Sequence, residues 1–211
     1  METGRSARRT ASGAAFVREF LRNPAATGAI APSSRRLASR MLEGIDFSRV
    51  RSIVEYGPGS GVFTRAVLER LPRGWLSEEG GQGTFIAIEF NPTLAAIVRE
   101  RHPTMAVVEG SAEDVERICV EHDVQPGKLD VVISGLAFAS LPPELSTRIL
   151  EATRRVLKPG GEFRTFAYYV GLFMPGARHF REQARRLFAE VRPSRAVWAN
   201  LPPAFVYTCR T

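Results

Sequence analysis

From residue 50 onward the chain alternates between two kinds of apolar pattern. Short, nearly continuous apolar runs occupy residues 51–56 (RSIVEY), 84–89 (TFIAIE), 105–109 (MAVVE) and 129–134 (LDVVIS). Each has strand length and reads as a strand buried on both faces. Between them the apolar positions recur at helical spacing: Phe63, Val67, Leu68 and Leu71, then residues 92–101, 112–120 and 144–157. Lys158-Pro-Gly-Gly161 stops the last of these, and a fifth strand is expected over 162–169. A helix over 177–188 turns Phe180, Ala184, Leu187 and Phe188 to one side. Two last strands are predicted around 189–198 and 204–209. The Leu201-Pro-Pro203 break between them suits a short return, which would make the final strand antiparallel. Residues 72–83 are polar and are expected to loop out. Strands alternating with helices predict an α/β fold, a doubly wound, mainly parallel seven-stranded sheet.

Upstream, residues 14–21 place Phe16, Val17, Phe20 and Leu21 on one helical face, and Asn23-Pro24 ends that helix. Gly28-Ala-Ile-Ala-Pro-Ser-Ser34 reads as a turn, and Ser33 or Ser34 can cap a helix carrying Leu37, Ala38, Met41 and Leu42. The chain is therefore expected to divide into an N-terminal helical segment, 1–45, and a main domain, 46–211.

Length and composition narrow the class. With 211 residues, 44% of them hydrophobic, the chain can build one domain-sized core, which excludes disorder as its main state. Two cysteines are too few for a disulfide framework, so a cytoplasmic location is expected. No apolar run approaches the roughly 20 residues of a membrane-spanning helix. The net charge of +7 is unevenly spread. The first 40 residues hold eight Arg against two Glu, and residues 161–211 hold eight Arg against three Glu. Residues 41–160 hold thirteen Lys plus Arg against seventeen acids. Two basic ends on an acidic middle suit an anionic partner, nucleic acid or a membrane surface, or serve solubility alone.

The chemistry starts at Ile53-Val-Glu-Tyr-Gly-Pro-Gly-Ser-Gly61, where the first strand turns into a helix. Dinucleotide-binding loops space their glycines as GxGxxG, but the third position here is Val62. The glycines are Gly57, Gly59 and Gly61, with Glu55 two residues upstream. This resembles the E/D-x-G-x-G-x-G loop of class I S-adenosylmethionine-dependent methyltransferases. An acid suits that cofactor's ammonium group where it would repel a pyrophosphate. The resemblance continues in order through Glu89, Asn91, Gly110-Ser-Ala-Glu113 and Leu157-Lys-Pro-Gly-Gly-Glu162, over roughly residues 50–170. It implies Glu89 as the acceptor for the ribose hydroxyls, with Asn91, Ser111, Ala112, Ser134 and Gly135 completing the cofactor site. An acid commonly stands where Ser111 is, so Glu113 or Asp114 is the candidate for the adenine amine. S-adenosylmethionine is the expected methyl donor and S-adenosylhomocysteine the product. No metal-ligand spacing is present, and no metal is expected.

The acceptor side is read from residues 130–142. Base-methylating relatives carry an N/D-P-P-Y type motif after the fourth strand, whereas this chain has Ser134-Gly-Leu-Ala137 and then Phe138. That demotes nucleic-acid bases and makes a stable nucleic-acid partner unexpected. The segments Phe20-Leu-Arg-Asn-Pro, Gly28 to Ser34, Arg164-Thr-Phe-Ala-Tyr168 and Asn200-Leu-Pro-Pro-Ala-Phe-Val-Tyr207 are similar to those of bacterial phospholipid N-methyltransferases. That resemblance implies a lipid headgroup amine as acceptor, of phosphatidylethanolamine and its methylated derivatives or of ornithine lipid, on the inner face of an anionic membrane. A methyltransferase of a soluble small molecule is the alternative, and an rRNA adenine methyltransferase a weaker one. Tyr168 and Tyr169, at the end of the fifth strand, are the catalytic candidates, with strand-end packing as the plain alternative. Ser33, Ser34, Arg35, Arg164, Arg178 and Arg181 are the candidate headgroup ligands. The 14–21 helix is either a membrane-surface element or a lid.

Overall fold

The computed structural model describes residues 34–76 and 81–211. The helix expected over 14–21, and Ser33, lie outside these residues. Helix α1 (Arg35–Met41) opens the described chain, capped by the Ser34 hydroxyl, which accepts the Leu37 amide. Strand β1 (Ser52–Tyr56), helix α2 (Val62–Leu68), strand β2 (Thr84–Glu89), helix α3 (Pro92–Arg101) and strand β3 (Ala106–Glu109) follow. Then come α4 (Val115–Glu121), β4 (Leu129–Ser134), α5 (Pro143–Val156), β5 (Leu157–Tyr168), α6 (Pro175–Leu187), β6 (Glu190–Pro193) and β7 (Ala204–Arg210).

The seven strands form one sheet in the order β3-β2-β1-β4-β5-β7-β6. The first five are parallel, and β7 runs antiparallel to both β5 and β6. The expected fold is therefore present, with two differences at strand ends. Leu157 already pairs with Leu129, and pairing resumes at Glu162 with Val131, so the Lys-Pro-Gly-Gly turn is a bulge inside β5 rather than a lead-in to it. Strand β6 is shorter than expected, ending at Pro193.

Every residue of β1 and β4 is buried because helices cover both faces. One face packs Val54, Tyr56, Ile88 and Val132 against Ile118, Ile149 and Phe180 of α4, α5 and α6. The other packs Ile53, Phe85 and Ile133 against Leu37 and Met41 of α1 and Phe63 and Val67 of α2. The last part of the segment expected to stand apart, residues 34–45, is thus built into the second face. The 72–83 loop holds an unexpected anchor. Trp75 is buried, and its indole N–H donates to the Val50 carbonyl at 3.1 Å. Gly83 lies against that ring so closely that a Cβ there would sit 2.1 Å from it. Among the described residues no helix is long and apolar enough to cross a membrane.

Candidate cofactor site and acceptor cavity

The sheet order reverses between β1 and β4, so their carboxyl ends open a crevice, the usual ligand position in such sheets. Backbone bonds draw the loops there together. Gly57 N–H donates to Ile88 O at 2.9 Å, and Gly135 N–H to Tyr56 O at 2.8 Å. A Cβ on Gly135 would stand 2.5 Å from the Gly57 carbonyl oxygen, closer than real atoms approach. Gly57, Gly59 and Gly61 have φ of +62°, +51° and +78°, the left-handed region that side chains resist. The alternating glycines are thus a backbone requirement, and they leave a strip of bare main chain at the crevice.

Two buried carboxylates flank this strip. Glu89 at the end of β2 accepts the Gly59 amide at 3.1 Å with one oxygen and the Asn91 amide at 2.9 Å with the other. Burial raises its pKa, and those amides oppose the rise. Glu55 in β1 is fully buried and accepts the Thr64 hydroxyl at 2.7 Å on Oε2. Its Oε1 has no hydrogen-bond partner among the described residues. Burial pushes this carboxyl up to about 8; the Thr64 hydrogen bonds counter that, and the neighbouring Glu89 charge adds to it. A buried acceptor without a partner costs free energy until a donor or cation meets it. The donor set fits S-adenosylmethionine: an orphaned carboxylate oxygen for an ammonium group, a second carboxylate for hydroxyls, and a loop whose glycine backbone a ligand can approach. Thr64 was not anticipated. Its signal is a hydroxyl on the core side of a helix otherwise facing inward with Phe63 and Val67.

The other expected cofactor residues have local structural partners. The Asn91 side chain caps α3, accepting the Thr93 amide at 2.9 Å and the Leu94 amide at 3.2 Å. Ser111 caps a short 3-10 turn, Ala112–Asp114, in which Ala112 is buried. Ser134 accepts the Leu136 amide at 3.2 Å. Each fixes the loop leaving a strand end, so the backbone of those loops is what they offer a ligand. Glu113 is drawn to Arg148 at 2.6 Å, whereas Asp114 is exposed.

Beyond the ends of β4 and β5 lies a cavity of about 140 Å³ whose walls include Phe138, Phe166, Tyr168, Phe180 and Tyr207. The tyrosine pair divides here. Tyr168 lines the cavity, half-buried, and burial raises its pKa. Tyr169 turns outward and stacks on Trp198. Tyr207, not anticipated as a site residue, is also raised by burial, an effect that its hydrogen bond with Arg181 opposes. Arg181 therefore stands at the cavity through Tyr207.

The remaining candidate headgroup ligands scatter. Arg164 is buried nearer the start of β5, bonded to Glu162 and donating to the Met41 and Glu43 carbonyls at 3.0 and 2.7 Å. It is a structural residue with no donor turned to the cavity, and the expectation for it is corrected. Arg178 is exposed, 3.7 Å from Glu182. Ser34 spends its hydroxyl on the α1 cap and its amide on Asn200, and Arg35 is exposed beside it.

Comparison with known proteins follows the same lines. A family described as a methyltransferase domain matches residues 53–161. Over 198 residues, 92% of this chain and 94% of the relative, the sequence is 29% identical to the ornithine lipid N-methyltransferase of Singulisphaera acidiphila. Over 80 residues, 38% of this chain and 24% of the relative, it is 35% identical to the ribosomal RNA small subunit methyltransferase A of Chlorobaculum parvum. The solved structure of PigF with SAH superposes with a TM-score of 0.58 at 18% identity, over 94% of this chain and 58% of that one.

Proposed function

The chain belongs to the methyltransferase domain family and takes S-adenosylmethionine as its methyl donor, and from that premise we propose that it methylates the amine of a lipid headgroup. The observation that carries this reading is the match to the ornithine lipid N-methyltransferase, which runs almost end to end in both chains. The match to the rRNA enzyme covers a quarter of that protein, and the Ser134-Gly-Leu-Ala137 segment lacks the polar pair and proline that would hold a base.

The cavity supports an amine acceptor. Bound in the crevice, S-adenosylmethionine supplies an electrophilic methyl group. The chain's own contribution is to position the acceptor and strip it of water. An alkylamine must lose a proton before it can attack, and its ordinary pKa is about 10. A dry wall of Phe138, Phe166 and Phe180 favours the neutral amine. The faces of Tyr168 and Tyr207 suit the cationic methylated product. Tyr168 itself is a poor proton acceptor, since burial keeps its phenol protonated at neutral pH. Its part is to orient the amine, and water carries the proton away. The same proposal places the protein at the inner face of a membrane, held peripherally, with the amine lipid and anionic neighbours as its partners.

The test is transfer of labelled methyl groups from S-adenosylmethionine by the full chain. Ornithine lipid and phosphatidylethanolamine in detergent micelles, soluble amines, and rRNA are offered separately. Transfer to a lipid amine is expected. Transfer only to a soluble amine, or only to rRNA with a steep loss in salt, overturns the proposal.

A further inference from the structure

The described residues leave seven large apolar side chains exposed, and six of them belong to two short segments at one end of the sheet. Tyr169, Val170, Phe173 and Met174 follow β5, and Trp198 and Leu201 precede β7; only Val120 lies elsewhere. Phe173 is 93% exposed, Leu201 81% and Trp198 76%. Because Tyr168 pairs with Ala204, the two segments leave the sheet side by side at the carboxyl ends of its parallel strands. The Tyr169 and Trp198 rings then stack, 6.0 Å apart and 10° from parallel, and join them into one surface. Val170 and Met174 also line the acceptor cavity, so the surface adjoins it. Such a cluster is costly in water and marks a contact surface.

The charge around it selects the partner. Neither residues 169–178 nor residues 194–203 contain an acid. Arg178 stands one turn into α6, its amide bonded to the Met174 carbonyl. Arg195 is three residues before Trp198, and Arg36 lines the same groove as Trp198. The Ser34 amide donates to the Asn200 side chain at 2.9 Å, tying the start of α1, with Arg35 and Arg36, to this same loop. An apolar centre with tryptophan and tyrosine at its edge and a rim of arginines matches the boundary between acyl chains and anionic headgroups. A second copy of the chain would set arginine rim against arginine rim.

We propose that segments 169–174 and 197–201 form a bilayer-docking surface that seats the acceptor cavity on an anionic membrane. This deepens the lipid reading above and rests on it for the purpose of docking, though not for its occurrence. Trp198 provides a built-in reporter, since the only other tryptophan, Trp75, is buried. Vesicles of equal parts phosphatidylglycerol and phosphatidylethanolamine, with brominated acyl chains, are expected to quench Trp198 in the full chain. Trp198→Phe should lose that quenching. The double variant Phe173→Ser/Leu201→Ser should bind vesicles about tenfold more weakly or worse. Both variants should bind S-adenosylmethionine as the parent does and methylate detergent-dispersed lipid at the parental rate. Vesicle binding unchanged in the double variant, or lost only when residues 1–33 are removed, overturns the docking surface and leaves the lipid substrate standing. A parent that is dimeric, with Trp198→Ser monomeric and still bound to vesicles, reassigns the patch to self-association and overturns it too. Docking as described with no methyl transfer to any lipid overturns the substrate reading alone.

Discussion

Glu89 takes the Gly59 amide at 3.1 Å with one carboxylate oxygen and the Asn91 amide at 2.9 Å with the other, tying the end of β2 to the loop after β1 and to the cap of α3. One buried side chain therefore holds the crevice in shape before any ligand arrives. Glu89→Ala leaves two amides without that acceptor. Hydrogen bonds to a charged group are worth about 1.5–3 kcal/mol. The variant should lose about 2 kcal/mol or more of stability in chemical denaturation, and cofactor affinity should fall by about thirtyfold or more in calorimetric titration. Lost stability with parental affinity would restrict Glu89 to scaffolding.

The contact between Gly135 and the Gly57 carbonyl makes a second prediction. A Cβ at Gly135 meets backbone at 2.5 Å, and a second carbonyl, that of Tyr56, at 3.3 Å, neither of which can swing aside. Gly44 is the matched control. Its φ is +77° and nothing lies within 4 Å of an added Cβ, so Gly44→Ala bears only the backbone strain, about 1 kcal/mol. Gly135→Ala should cost about 1–3 kcal/mol through overpacking and should also weaken cofactor binding, which Gly44→Ala should not. Thermal melts with and without cofactor separate the two. Equal behaviour of the two variants would mean that the strands at the switch point part easily.

The sheet and the glycine loop were legible because each rests on a local rule. Residues 53–56 and 131–133 form apolar runs as parallel strands must, and Gly57, Gly59 and Gly61 stand where φ turns positive. What escaped depends on pairing across the fold. Arg164 read as a headgroup ligand because an arginine in a strand looks unpaired. Its partners are Glu162, where β5 resumes its pairing after the bulge, and the carbonyls of Met41 and Glu43 at the end of α1. Tyr168 and Tyr169 are adjacent in the sequence, but Tyr168 ends β5 and Tyr169 opens the 3-10 turn over 169–173, so the two rings part. Trp75 stands in a polar stretch, where nothing local shows that Val50 will meet its ring nitrogen.

Tyr168 lines the cavity with a phenol that burial keeps protonated, so its contribution is orientation and not proton removal. Tyr168→Phe keeps the ring and removes the hydroxyl. We expect the acceptor turnover rate to fall by about tenfold, well short of the 10²–10⁴ associated with loss of a general base. The pH–rate profile should keep its shape and the KM for the cofactor should not move. A loss of about a thousandfold, with an ionisation vanishing from the profile, would make Tyr168 the base.

Arg164 and Glu162 test the correction to the headgroup set. Their paired side chains are almost wholly buried, and Arg210 also binds Glu162. Removing one member of a buried pair leaves an uncompensated charge, which costs about 3–5 kcal/mol in general; the retained Arg210 places the loss near the lower figure. Arg164→Ala should therefore lose about 3 kcal/mol in urea denaturation while the acceptor KM, measured below the melting range, is unchanged. A raised acceptor KM with little loss of stability would restore Arg164 to the headgroup site.

Glu55 gives the pH dependence. Its carboxyl sits near 8 in the folded chain against 4.5 ordinarily, because burial disfavours the charge. Between those values the folded chain holds a proton that the unfolded chain has released. The stabilising protonation is complete below about 4.5 and is lost as pH rises toward 8. The cofactor-free protein should lose stability across that window, by up to about 1.4 kcal/mol per pH unit, and level off above it. Glu89 is also raised by burial and adds a slope of the same sign, so the measurement is the difference between the parent and Glu55→Gln, which removes only the first. A cation favours the ionised carboxylate, so S-adenosylmethionine binding should expel a proton from Glu55 below about pH 8 and tighten as pH rises to that point. Titration calorimetry in two buffers of different ionisation heat counts the proton. Release that persists undiminished in Glu55→Gln would move the titration to Glu89 and remove Glu55 from the ammonium site.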